Sequence, residues 1–144
     1  MKNEILFFDS SALLKRYLNE EGSETVLELF KKSKEIFVAP ITHIECVSAF
    51  RRLLHTKEID RQTFQRLCDE VALDFISYVT VEFNDHLESK ALNMLNEYPL
   101  KASDTIQLAS ALMMINEINS FVVSDIQLKN YAHQEGFHII DPTS

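Results

Sequence analysis

Four acidic residues stand where short apolar runs end or where helical patterns begin. Asp9 directly follows Leu6-Phe7-Phe8, and Asp125 follows Phe121-Val122-Val123 after one residue, Ser124. Glu45 falls in the first turn of a helical pattern over Ile41–His55, and Asp104 in the first turn of another over Ser103–Asn116. Singly, each acid has a structural use. Asp9 and Asp125 suit helix N-caps, and Ser11 can share that work. Thr42-His43-Ile44-Glu45 spells a capping box, T-x-x-E. Asp104 suits the positive end of its helix. Together they suit a different chemistry. Carboxylates gathered in one cleft repel one another, and a hard divalent cation relieves that repulsion. Carboxylate and water oxygens select Mg²⁺ or Mn²⁺. An ion so held acidifies a bound water, draws charge from a phosphate and aligns in-line attack. Zinc is not indicated, because His43, His55, His86, His133 and His138 fall into no zinc-ligand spacing.

Such a cleft needs elements that end at one edge. Short apolar runs at Glu4–Phe8, Ile36–Ala39, Phe75–Val81, Phe121–Val123 and Phe137–Ile140 read as strands. Helical patterns separate them, at Ser11–Asn19, Glu24–Ser33, Ile41–His55, Asp60–Leu73, Phe83–Asn96, Ser103–Asn116 and Ile126–Gln134. Alternation of this kind predicts a mostly parallel sheet covered on both faces. Ligands of open α/β sheets bind outside the carboxyl ends of the strands, which is where all four acids fall. The helix Ser103–Asn116 is apolar nearly all round, from Ile106 to Ile115, and is expected to be buried on most sides.

The helix that carries Glu45 is expected to bury Ile44, Val47, Phe50 and Leu54 on one broad face. Glu45 then lies opposite, beside Ser48 and Ala49, with Arg52 two turns on. An acid followed by an arginine suits a cleft that holds a cation and then a phosphate. Arg51, Arg52, Lys57 and Arg61 form a basic group beside it.

Composition narrows the alternatives. The 144 residues, 46% hydrophobic, suffice for one domain with a real core and are too few for two ordinary ones, so residues 1–144 read as a single domain. No apolar run approaches the roughly 20 residues of a membrane span, and the N-terminus does not resemble a signal peptide. A soluble, cytoplasmic protein with two buried, reduced thiols, Cys46 and Cys68, is expected. The net charge of −8 argues against coating nucleic acid by bulk attraction, and it follows naturally from acids collected to bind cations. Gly22 and Gly136 are the only glycines, so no glycine loop can wrap a pyrophosphate. Asp9-Ser10-Ser11 lacks the second acid of a haloacid-dehalogenase D-x-D. Val81-Glu82 and Ile140-Asp141 lack the Asp and Lys of a receiver domain.

The stretch FFDSSALLKRYLNEEGSE closely resembles the first motif of PIN domains, specifically the VapC-type toxin branch. ITHIECVSAFRR resembles their second motif, LKASDTIQLASAL their third and FVVSDIQLKNYAHQEGFHII their fourth. The resemblance runs from about Ile5 to Ile140 in family order, covering nearly the whole chain. It implies a three-layer α/β/α sandwich around a mostly parallel sheet. It implies an endoribonuclease dependent on Mg²⁺ or Mn²⁺, with metal-binding and catalytic acids carried over to Asp9, Glu45, Asp104 and Asp125. Asp9 and Asp104 would be the central ligands, with Glu45 and Asp125 completing the shell. Ser11 matches the hydroxyl that commonly follows the first acid. Val123 departs from the family, which often has Thr or Ser there, and Ser124 would point the other way on a continuing strand. The implied partners are an RNA substrate, a small VapB-type antitoxin and a second copy in a homodimer. A PIN-like interaction module without catalysis, or an RNA-processing nuclease without an antitoxin, is the competing reading.

Overall fold

Apolar runs this short become strands when both faces of the sheet are covered, because nothing on them needs to meet water. The computed structural model describes residues 2–144. In chain order its elements are β1 (Glu4–Phe8), α1 (Ser10–Tyr17), α2 (Ser23–Lys32), β2 (Ser33–Val38), α3 (Thr42–His55) and α4 (Arg61–Phe75). Then follow β3 (Val79–Thr80), α5 (Asp85–Glu97), α6 (Ala102–Met113), β4 (Ser120–Val122), α7 (Ile126–Gln134) and β5 (Ile139–Ile140). The five strands form one parallel sheet in the order β3-β2-β1-β4-β5.

The strand period of two sorts the core into layers. Phe7, Phe37 and Phe121 face one side with Met94 of α5, Leu108 and Ala111 of α6, and Leu128 and Ala132 of α7. Leu6, Phe8, Ile36, Val38 and Val122 face the other, against Leu13, Val26, Phe50, Leu67 and Val71 of α1 to α4. The expected three-layer α/β/α sandwich is the result. Phe121 anchors its layer edge-on to two rings, Phe7 at 5.2 Å and Phe137 at 5.3 Å. Such pairs contribute about 0.5–1.5 kcal/mol each beyond the area they bury. Among the described residues, no helix is long and apolar enough to cross a membrane.

Several expectations are corrected. Phe75–Val81 is not one strand: Phe75 closes α4, and only Val79 and Thr80 pair with β2. The aromatic residues of that segment serve packing instead. Phe75 stacks on His43 at 4.5 Å and meets Tyr78 edge-on at 5.0 Å. The buried face of α3 is also rotated from the expected one. Ile44 is 72% exposed, and Thr42, Cys46, Ala49 and Phe50 are buried. The segment Phe137–Ile140 reduces to a two-residue strand because Phe137 turns inward to Phe121. Helix α6 stops at Met113, where i−3 bonds from Met114 and Ile115 tighten the chain into a turn. Both cysteines are free thiols, but only Cys46 is buried; Cys68 is partly exposed on α4.

Candidate functional site

The sheet order places a switch point beside β1, with β2 on one side and β4 on the other. Crevices at such points, outside the carboxyl ends of the strands, receive ligands. Helices that follow a strand, or that run back to start the next, also begin at this edge. Asp9 caps α1 at the end of β1, and Asp125 caps α7 after β4. Glu45 and Asp104 lie in the first turns of α3 and α6. All four acids line one cleft of about 330 Å³, together with Ser10, Ser11, Ile44, Ser48, Arg52 and Gln107.

Burial is graded across the cleft. Asp9 forms the floor at 3% exposure, Glu45 and Asp104 are half-buried, and Asp125 is exposed at the rim. Burial pushes the Asp9 carboxyl up to about 7, and the charge of Asp125 adds to this. Hydrogen bonds from the Ser11 hydroxyl and from backbone amides work in the opposite direction. Burial also raises the Asp104 carboxyl, reinforced by the charges of Asp125 and Glu45 and opposed by Lys101. Cys46, buried and next in sequence to Glu45, has its thiol pushed up to about 12 by burial and by the charges of Glu45 and Asp9. A thiol held in that state is a packing group and not a nucleophile.

The separate structural uses of the acids divide. Asp9 does cap its helix, its Oδ1 accepting from the Ala12 amide at 3.1 Å. The Ser11 hydroxyl donates to both Asp9 oxygens, at 3.0 and 2.8 Å. Asp125 Oδ1 accepts from the Leu128 amide at 2.8 Å. The capping box at Thr42 and Glu45 does not form. The N-cap of α3 is Ile41, without a side-chain cap bond, and Thr42 is fully buried. Glu45 instead turns toward α1 and α6, where its Oε1 accepts from Ser10 Oγ at 2.6 Å and from Gln107 Nε2 at 2.9 Å. Gln107 is therefore a site residue that motif reading passed over. The available signal was a lone amide in an apolar helix, one turn beyond Asp104 and so on its face.

No lysine, arginine or histidine forms an ion pair with any of the four acids among the described residues. The donor set, oxygen only and rich in charge, fits a hard divalent cation. No three His, Cys, Asp or Glu side chains, among the described residues, already close around a single point. Of the expected basic group, only Arg52 reaches the cleft, and its Nη1 donates to Ser48 Oγ at 2.9 Å. Arg51 lines a neighbouring apolar groove with His43, Ile44, Val47 and Phe64. Arg61 lies over the Phe64 ring at 5.7 Å. Near the fourth acid, Val123 is fully buried in the core, and the Ser124 hydroxyl is buried without a partner among the described residues.

Several solved structures share this fold. A toxin–antitoxin complex from Klebsiella pneumoniae aligns over 95% of this chain and 97% of its own, with 15% identity and a TM-score of 0.68. VapC20 of Mycobacterium tuberculosis, a sarcin–ricin-loop-cleaving toxin, aligns over 92% and 96%, with 16% identity and a TM-score of 0.67. VapBC-1 of nontypeable Haemophilus influenzae aligns over 97% and 99%, with 14% identity and a TM-score of 0.63. At such identities the likeness is one of fold. No curated protein matches the chain significantly in sequence. The sequence model of the PIN domain matches residues 6–133, nearly the whole sheet and all four acids, and the chain therefore belongs to the PIN domain family.

Proposed function

We propose that this protein is a Mg²⁺- or Mn²⁺-dependent endoribonuclease, the toxin of a type II toxin–antitoxin pair, acting in the cytoplasm as a single domain within a homodimer. One observation carries the catalytic part: four carboxylates line one cleft at the switch point of the sheet, and no cationic side chain pairs with them among the described residues.

Asp9 and Asp104 would be the central ligands of the cation, with Glu45 and Asp125 supplying further oxygens. A divalent ion supplies Lewis acidity toward the scissile phosphate and lowers the pKa of water at the site. The protein's own part is positioning. The caps on α1 and α7 fix the backbone beneath Asp9 and Asp125. Arg52, two turns beyond Glu45 and within the same cleft, offers a planar pair of donors to a phosphate oxygen. Burial on the Asp9 side keeps bulk water from screening these charges.

The toxin reading rests on fold likeness to solved structures that include a toxin–antitoxin complex and a toxin. A small protein antitoxin is the corresponding partner. The exposed Ile44 and the apolar groove beside the cleft offer it a surface next to the acids. The test combines activity and binding. The wild-type protein is expected to cleave RNA only with Mg²⁺ or Mn²⁺ present. Asp9→Asn and Asp104→Asn are expected to lose both cleavage and Mn²⁺ binding, by calorimetric titration, while keeping their circular-dichroism spectrum. Cleavage that persists in EDTA, or in either variant, overturns the assignment.

A further inference from the structure

Gln107 is 2% exposed in a helix whose other buried positions are mostly small or apolar. Burying an amide is unfavourable unless its hydrogen bonds are made inside the protein. Those of Gln107 go almost entirely to the cleft. Its Nε2 lies 2.9 Å from Ser10 Oγ, 3.0 Å from Thr42 Oγ1 and 2.9 Å from Glu45 Oε1. These acceptors belong to α1 and α3, so one side chain of α6 ties together three of the elements that carry acids. Its own Oε1 is buried with no partner among the described residues. An unpaired buried acceptor is a net cost, so the fold alone gives little reason for an amide here. A methionine or leucine would fill similar space without that cost.

We infer that Gln107 is a positioning residue that holds Glu45 in its cation-binding orientation without neutralising it. The inference rests on the metal-dependent reading of the cleft. Both donors that reach Glu45, Ser10 and Gln107, bond to the same oxygen, Oε1. Oε2 has no hydrogen-bond partner among the described residues, and this leaves it to a ligand. The donor's neutrality matters. A lysine at this place would hold the carboxylate equally well, but its charge would compete with the cation. An amide supplies N–H groups and no net charge. Outer groups of this kind, which orient a ligand by hydrogen bonding, typically change metal affinity by about 10–100-fold when removed.

The experiment is a double-mutant cycle on Mn²⁺ affinity, with thermal melting of the ion-free protein in parallel. Gln107→Met is expected to melt no more than a few degrees from wild type and to bind Mn²⁺ about tenfold more weakly. In a Glu45→Gln background the same change is expected to have almost no further effect, because the group it positions has already gone. Gln107→Asn keeps the amide but withdraws it by one methylene, and it carries the same expectation should the methionine variant fold poorly. Unchanged Mn²⁺ affinity in either variant, or an equal loss with and without Glu45, overturns this inference and leaves the metal reading intact. Absence of Mn²⁺ binding by the wild-type protein overturns both.

Discussion

Asp9 and Asp125 lie beyond the carboxyl ends of neighbouring parallel strands and line one cleft. Phe8 pairs with Val122 across β1 and β4, and the Asp9 amide donates to the Val122 carbonyl at 3.1 Å. Each carboxylate then caps the helix that leaves its strand, through Oδ1 alone. A cap occupies one lone pair of one oxygen; on Asp9 the Ser11 hydroxyl also reaches Oδ2, which keeps its second lone pair. Helix start and cation ligand are therefore compatible roles for both residues. The two charges are also close enough for Asp125 to raise the Asp9 carboxyl.

Burial of Asp9, with the charge of Asp125 as a smaller addition, makes stability depend on pH. The native carboxyl of Asp9 sits at about 7, above its ordinary 3.8, so the folded protein binds this proton more tightly than the unfolded chain does. The Asp9 contribution is therefore favourable below about pH 4 and is lost as pH rises toward 7. By linkage, the loss is on the order of 4 kcal/mol at most. Asp9→Asn retains a cap acceptor and carries no such proton. We expect it to be more stable than wild type in urea at pH 8 with EDTA, and to show little of this dependence. Parallel pH profiles for the two proteins would contradict the burial argument.

The proposed phosphate contact of Arg52 can be tested apart from cation binding. It lines the acid cleft, and its hydrogen bond goes to Ser48, not to an acid. Arg52→Ala is expected to raise KM for RNA cleavage about tenfold, the scale of one charge-assisted hydrogen bond. Mn²⁺ affinity should stay at its wild-type value or increase slightly. A fall in Mn²⁺ affinity would place Arg52 in support of the acids and not of the phosphate.

A second polar cluster, remote from the cleft, joins α1 to α4. Asp74 accepts from Arg16 Nε at 3.0 Å and from the Tyr17 hydroxyl at 2.8 Å. Tyr17 and Tyr78 share a further bond at 2.8 Å, and the Arg16 guanidinium lies over Phe30 at 4.2 Å. Burial holds the Tyr17 and Tyr78 hydroxyls well above their ordinary range, so both stay neutral donors. Asp74→Ala strands these partners and is expected to cost roughly 2–3 kcal/mol in urea unfolding. Mn²⁺ affinity should be preserved, since no member of the cluster touches the acids.

Lys57 adopts φ 65 just beyond α3, the only positive-φ residue that is not glycine among those described. Its amide donates to Leu54 at 3.1 Å and that of Glu58 to Leu53 at 2.9 Å, the bond pair of a Schellman ending. A side chain in the left-handed region costs about 1–2 kcal/mol, partly offset by the larger unfolded-state entropy of glycine. Lys57→Gly should therefore raise the melting temperature by a few degrees, with cleavage unchanged. A lower melting temperature would mean that the lysine side chain makes a contribution larger than its strain.

The sequence by itself determined the layering of this protein and the edge at which its acids stand. Buried parallel strands need apolar residues on both faces, so Leu6-Phe7-Phe8 and Phe121-Val122-Val123 are legible locally, and so are the acids that end them. Glu45 and Asp104 are equally legible as first-turn residues. Tertiary structure decided which way side chains turn when two partners compete. Thr42 and Glu45 have the spacing of a cap, but the buried donors of Gln107 and Ser10 draw both away, and those donors come from segments 35 to 65 residues distant. Phe75 and Tyr78 have strand-like composition, but Phe75 stacks on His43 of α3, and Tyr78 packs against Phe30 of α2 and hydrogen-bonds Tyr17 of α1. Ile44 is exposed because α3 rotates to bury Cys46 and Phe50, a choice set by what lies opposite it and by nothing within the helix. Local pattern fixes where a charge begins an element; only contacts between distant segments fix the oxygen that each charge presents to the cleft.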